Sequence, residues 1–155
     1  MNGRRLLLSL VLAALVALAL AGAASAASLA VADHGGRPLS TELTGAAEVP
    51  AGDPEGSGMA TITVNPGQEE VCWEIKAAGI DLPATAAHIH VGAVGTAPPN
   101  NVVVTLSAPD ASGFSSGCTT VDRDLALEIL KNPENYYVNV HNEAFPTGAI
   151  RGQLS

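Results

Sequence analysis

Alternation of apolar and polar residues constrains this chain more than any other feature. In Met59-Ala60-Thr61-Ile62-Thr63-Val64, a strand would turn Ala60, Ile62 and Val64 to one face and Thr61 and Thr63 to the other. Glu70 to Ala77 repeats the pattern, with Val71, Trp73 and Ile75 opposite Cys72, Glu74 and Lys76. Asn65-Pro66-Gly67-Gln68 between them has turn chemistry, so the pair reads as a hairpin with Trp73 in the core. Leu39 to Val49 is a further strand, bent at Gly45. Ala87 to Gly92, Tyr136 to His141 and Ala149 to Leu154 alternate in the same way. Asn101 to Leu106 is apolar on both faces, the pattern of a strand buried on both sides. Ser107 to Thr119, rich in Ser and Gly, reads as a connection. Asp122 to Asn132 carries helical spacing instead, with Leu125 and Ile129 four apart and Asn132-Pro133 as a stop. About seven short strands and one short helix predict an all-β fold. The expected form is an antiparallel Greek-key, immunoglobulin-like sandwich or barrel.

The N-terminus reads differently. Arg4 and Arg5 precede an apolar run from Leu6 to Leu20, and Ala24-Ser25-Ala26 has the small-x-small form of a cleavage site. Residues 1–26 are therefore expected to be a secretory signal peptide. The apolar run is shorter than the ~20 residues a spanning helix requires, and no later stretch is apolar enough to span a bilayer. Residues 27–38, which include His34, read as a flexible lead-in, and residues 39–155 as the folded domain. Loss of residues 1–26 removes two of seven basic residues and none of fifteen acidic ones, for a net charge of −10. Such a surface has little with which to neutralise phosphates, which argues against nucleic acid and against charge-driven binding to anionic lipid. The expected location is secreted or periplasmic. There, Cys72 and Cys118 are most simply a disulfide, the alternative being two free thiols.

Three of the four histidines fall in strands. His88 and His90 share one face of their strand, and His141 ends another. If the apolar residues point inward, the opposite face collects Glu74, His88, His90, Tyr137, Asn139, His141, Arg151 and Gln153. Two readings of that face stand side by side. His88, His90 and His141 could hold Cu or Zn, since neutral imidazole is a common ligand for both. Alternatively, the histidines form a structural polar network with Glu74, Tyr137, Asn139 and Arg151. Arg151 weighs against a metal unless a carboxylate pairs with it or it is turned away. No GxSxG is present, and the adjacent Glu69 and Glu70 would face opposite ways, so no catalytic set is read.

The residues also match a known family in three places. Leu43-Thr44-Gly45-Ala46-Ala47-Glu48-Val49-Pro50 resembles the opening motif of the CHRD domain. Ala87-His88-Ile89-His90-Val91-Gly92 is similar to its central motif. Asn132 to His141, followed by Pro146 to Leu154, resembles its closing motif. The resemblance implies a secreted β-sheet domain, one that also occurs in the developmental regulator chordin. It implies no established enzyme activity. The cysteine-rich modules that accompany the domain in chordin are missing here, so growth-factor antagonism does not carry over. The expectation is a non-enzymatic extracellular binding or structural module with an unknown protein or cell-surface partner. The alternative is a copper or zinc protein using the histidine cluster.

Overall fold

The computed structural model describes residues 35–98 and 101–155. The expected signal peptide and His34 lie outside the described residues. Eight strands form one sheet: β1 (Arg37–Thr44), β2 (Ser57–Asn65), β3 (Glu70–Ala78), β4 (Ala86–Val91), β5 (Val102–Leu106), β6 (Phe114–Thr120), β7 (Tyr136–His141) and β8 (Ile150–Gln153). Among the described residues one α-helix, α1 (Arg123–Lys131), connects β6 toward β7. The strand order is β5-β4-β7-β8-β1-β2-β3-β6, and every pairing is antiparallel. The sheet curls into a nearly closed barrel. A cavity of about 380 Å³ lies between the terminal strands β5 and β6, bordered by Val103, Thr105, Thr119 and Leu125 of α1. Among the described residues no helix is long and apolar enough to cross a membrane.

The alternation read from the sequence is what fills the barrel. Leu39, Leu43, Ala60, Ile62, Val64, Val71, Ile75, Ile89, Val138 and Ile150 are fully or almost fully buried in one core. Trp73 joins them, and its indole N–H donates to Ser115 Oγ at 3.0 Å. The helix adds Ala126 and Ile129.

Several expectations are corrected. Strand β1 starts at Arg37, inside the expected lead-in, because Arg37 and Pro38 continue the register opposite Val64 and Thr63. It ends at Thr44, and Gly45–Ala47 forms a 3-10 turn. Residue 45 must be glycine, since a Cβ there would collide with the Asp53 backbone. Asn101 to Leu106 is not buried on both sides. Its strand β5 is a sheet terminus whose Val102 is 46% exposed. The Ser/Gly-rich connection contains a complete strand, β6, and raises the count from about seven to eight. Strand β6 has little apolar alternation of its own and is held by its pairing with β3. Gly117 lies opposite Trp73, where a Cβ would strike the indole ring. Cys72 lies opposite Cys118 in the same ladder, and the two form a disulfide.

Candidate metal centre

Strands β4, β7 and β8 are neighbours, so the polar residues on their shared face come together. In register, His88 pairs with Asn139 and His90 with Tyr137. Across the other side of β7, Asn139 pairs with Arg151 and Tyr137 with Gln153. His141 shares this face through the period-two alternation of β7. His88 Nδ1 lies 3.1 Å from His141 Nε2. One ring nitrogen from each of His88, His90 and His141 falls within 4.8 Å of the others.

This face is not the exposed polar surface expected from the sequence. His90, Asn139 and Arg151 are buried, and Tyr137 with them. His88 and His141 are half-buried. The segment after β4 folds over the face and is tied down from β8. The Arg151 guanidinium donates to the carbonyls of Thr96 (2.6 Å) and Ala93 (3.1 Å). Gln153 Nε2 donates to the carbonyls of Gly92 (2.8 Å) and Glu134 (2.7 Å).

Outer hydrogen bonds decide which imidazole nitrogens are free. Asn101 donates Nδ2 to the Val91 carbonyl (2.8 Å) and to Tyr137 Oη (2.9 Å), which leaves its Oδ1 as the acceptor facing His90 Nδ1 at 2.8 Å. His90 Nδ1 therefore carries the proton. His141 Nδ1 faces the Pro146 carbonyl at 3.1 Å, which can only accept, so it too carries the proton. In the neutral rings, both Nε2 atoms then present lone pairs. Both point at one atom, Asn139 Oδ1, at 2.9 Å from His90 and 3.0 Å from His141. Outer-sphere bonds of this kind set tautomer and ring orientation in metal-ligating histidines.

The rings are also held neutral. Burial, reinforced by the neighbouring His141 and His90, pushes the His88 pKa down to about 4. Burial depresses His90 as well, helped by the Arg151 charge and opposed by the hydrogen bonds to Asn101 and Asn139. His141 is depressed by burial, against its bond to the Pro146 carbonyl.

Arg151 does not stand beside the imidazoles. Strand β7 separates β4 from β8, so Tyr137 lies between His90 and Arg151. The His90 and Tyr137 rings stack with centroids 4.8 Å apart, and the Arg151 guanidinium carbon sits 3.3 Å from the Tyr137 centroid. The sequence reading missed two participants. Asn101, at the end of a loop, orients His90. Glu48, in the turn after β1, is buried against Gly148, where a Cβ would collide with both carboxylate oxygens. Burial raises the Glu48 pKa to about 7, partly offset by the Asn139 side chain and by the charge of Arg151. Glu48 Oε1 has no hydrogen-bond partner. Neither residue lies in a strand alternating with the histidines, so periodicity held no signal for them. Glu74 is not part of this assembly. It sits on β3, flanked by β2 and β6, is exposed, and pairs with Lys76 at 2.8 Å.

Residues 39–154 match the CHRD domain model. The chain belongs to the CHRD domain family. No curated protein sequence is significantly similar to it. The match runs from β1 through β8, so every element that builds the histidine site lies inside the CHRD domain. The disulfide fits a CHRD domain that works in an oxidising compartment.

Proposed function

We propose that this CHRD domain is a secreted or periplasmic metal-binding module that holds Cu or Zn through His88, His90 and His141. The observation that carries the reading is the convergence of three imidazoles, two of which, His90 and His141, have their outer nitrogens tied to acceptors. His90 and His141 aim their Nε2 lone pairs at a common point, and His88 Nδ1 is 3.1 Å from His141 Nε2. Two nitrogens bonded to one tetrahedral zinc at 2.0–2.1 Å would stand about 3.3 Å apart. The His88–His141 spacing is close to that value. The full set spans up to 4.8 Å, so closing on an ion draws the rings slightly inward. Neutral rings bind without first losing a proton. Tyr137 stands between His90 and Arg151, and the Glu48 carboxylate is a counter-charge for the guanidinium. The cation is thus set back from the imidazoles, although its charge still reaches His90.

Titration of the purified protein with Zn²⁺ and with Cu²⁺, followed calorimetrically, tests the reading. One saturable equivalent is expected, and His88→Ala and His141→Ala are each expected to weaken it roughly 100-fold or more, beyond the about 10–100-fold cost of losing an outer-shell partner. Absence of saturable binding would leave a contact module for a protein or cell-surface partner. The observation favouring that second reading is Val94, which is 74% exposed on the segment that Arg151 and Gln153 tie down. A pull-down from the secreted fraction that depends on Val94 would support it.

A further inference from the structure

We propose that Asn139 is the fourth ligand of this centre, through Oδ1, and that Glu48 positions its amide. The inference rests on the three-histidine reading above and adds to it the identity of the remaining ligand. Asn139 Oδ1 is 2.9 Å from His90 Nε2 and 3.0 Å from His141 Nε2. Both imidazole atoms are acceptors, because their partner nitrogens donate to Asn101 and to the Pro146 carbonyl. A carboxamide oxygen is an acceptor as well. Three acceptors thus face one another among residues that are largely buried. The nearby His88 Nδ1, 3.1 Å from His141 Nε2, can supply a hydrogen to that atom but supplies none to the pairing of His90 Nε2 with Asn139 Oδ1. A buried meeting of lone pairs costs free energy unless a cation sits among them. The spacings approach the about 3.3 Å edge expected around a four-coordinate zinc ion.

Without the ion, the same amide turned over would donate both Nδ2 hydrogens to the two Nε2 atoms. Asn139 therefore serves the empty and the loaded site with one side chain, and what holds it in the ligating orientation decides the loaded state. Glu48 is placed to do so. The residue is 7% exposed, and its carboxylate hydrogen-bonds to the Asn139 side chain and has an unpartnered Oε1. With Oδ1 turned to the metal, Asn139 Nδ2 turns toward that carboxylate. Three imidazoles and a carboxamide bring no negative charge to a divalent ion, and Glu48, on giving up its proton as the ion binds, supplies one from the outer shell.

Cobalt(II) as a spectroscopic stand-in for zinc tests both parts, with far-UV circular dichroism to confirm that each variant is folded. The wild-type protein should show the intense visible bands of four-coordinate cobalt. Asn139→Ala should weaken those bands and lower cobalt affinity roughly tenfold or more, and Asn139→Asp should keep the bands and bind more tightly, since a carboxylate replaces a neutral oxygen. Glu48→Ala should lower affinity while leaving four-coordinate bands, and Glu48→Gln, which retains an acceptor for Nδ2, should recover part of the loss. If the wild type binds cobalt and Asn139→Ala matches it in spectrum and affinity, the fourth ligand is wrong and the three-histidine site stands. Glu48→Ala indistinguishable from wild type would remove the positioning role alone. A wild type that takes up no cobalt, zinc or copper overturns the three-histidine reading and the fourth ligand together.

Discussion

His88 Nδ1 and His141 Nε2 approach to 3.1 Å although 53 residues separate them in the chain. The contact is diagonal across the β4–β7 ladder, in which His88 is paired with Asn139 and His141 with Ala86. Two imidazoles this close resist protonation, since a charge on one disfavours a charge on the other, and burial adds to the effect.

A dependence of stability on pH follows. The folded-state pKa of His88 is near 4, below the ordinary value of 6.5, so the unfolded chain binds more protons between those limits. Stability from this group is fully present above pH 6.5 and is lost as pH falls toward 4. His90 and His141 are depressed too and act with the same sign. Thermal denaturation of the metal-free protein should show a falling midpoint from pH 6.5 to 4, and His88→Ala should flatten that slope. An equally steep slope in the variant would contradict the assignment.

Glu48 acts with the opposite sign. Its folded-state pKa is raised from 4.5 to about 7, so the folded protein holds the extra proton. Stability from this group is present below pH 4.5 and is lost as pH rises through 7. Glu48→Gln removes the need to ionise a buried acid. In metal-free protein it is expected to raise stability at pH 9 by on the order of 1–3 kcal/mol and to change little at pH 5. Denaturant melts at the two pH values check this.

Arg151 closes the segment over the site. Its guanidinium holds the Ala93 and Thr96 carbonyls and lies on Tyr137. Arg151→Met keeps most of the apolar stem and loses the fork, leaving two carbonyls without their donors. A loss of about 2–4 kcal/mol is expected, the range for removing charge-assisted hydrogen bonds from a buried group. Hydrogen exchange should quicken at residues 92–98 and at the β4 end that contacts them. Unchanged exchange there would mean that Gln153 alone holds the segment.

The Cys72–Cys118 bond closes a loop of 46 residues and ties the sheet-terminal strand β6 to β3. Chain entropy assigns such a loop about 4 kcal/mol. Reduction, or Cys72→Ser with Cys118→Ser, should lower stability by about 2–4 kcal/mol, with exchange protection lost first along Phe114–Thr120. A reduced protein that melts with the oxidised one would show that the ladder holds β6 unaided.

The sequence by itself determined the all-β class, the inward face of most strands and the sharing of one face by His88 and His90. Those are local facts: a pleated strand alternates with period two, and Ile62, Trp73, Ile89 and Val138 mark its apolar side wherever it lies. Strand β6 was not legible, because Phe114–Thr120 has little alternation of its own and is a strand through its ladder with β3 and the disulfide. Burial of the polar face was not legible either. Nothing along β7 predicts that Arg151 and Gln153 fasten a distant segment over Tyr137 and Asn139. Only the tertiary structure seated β7 between β4 and β8, set Tyr137 between His90 and Arg151, and brought Asn101 to His90 and Glu48 to Asn139. Each of those relations depends on strand order and loop closure, which chain periodicity does not encode.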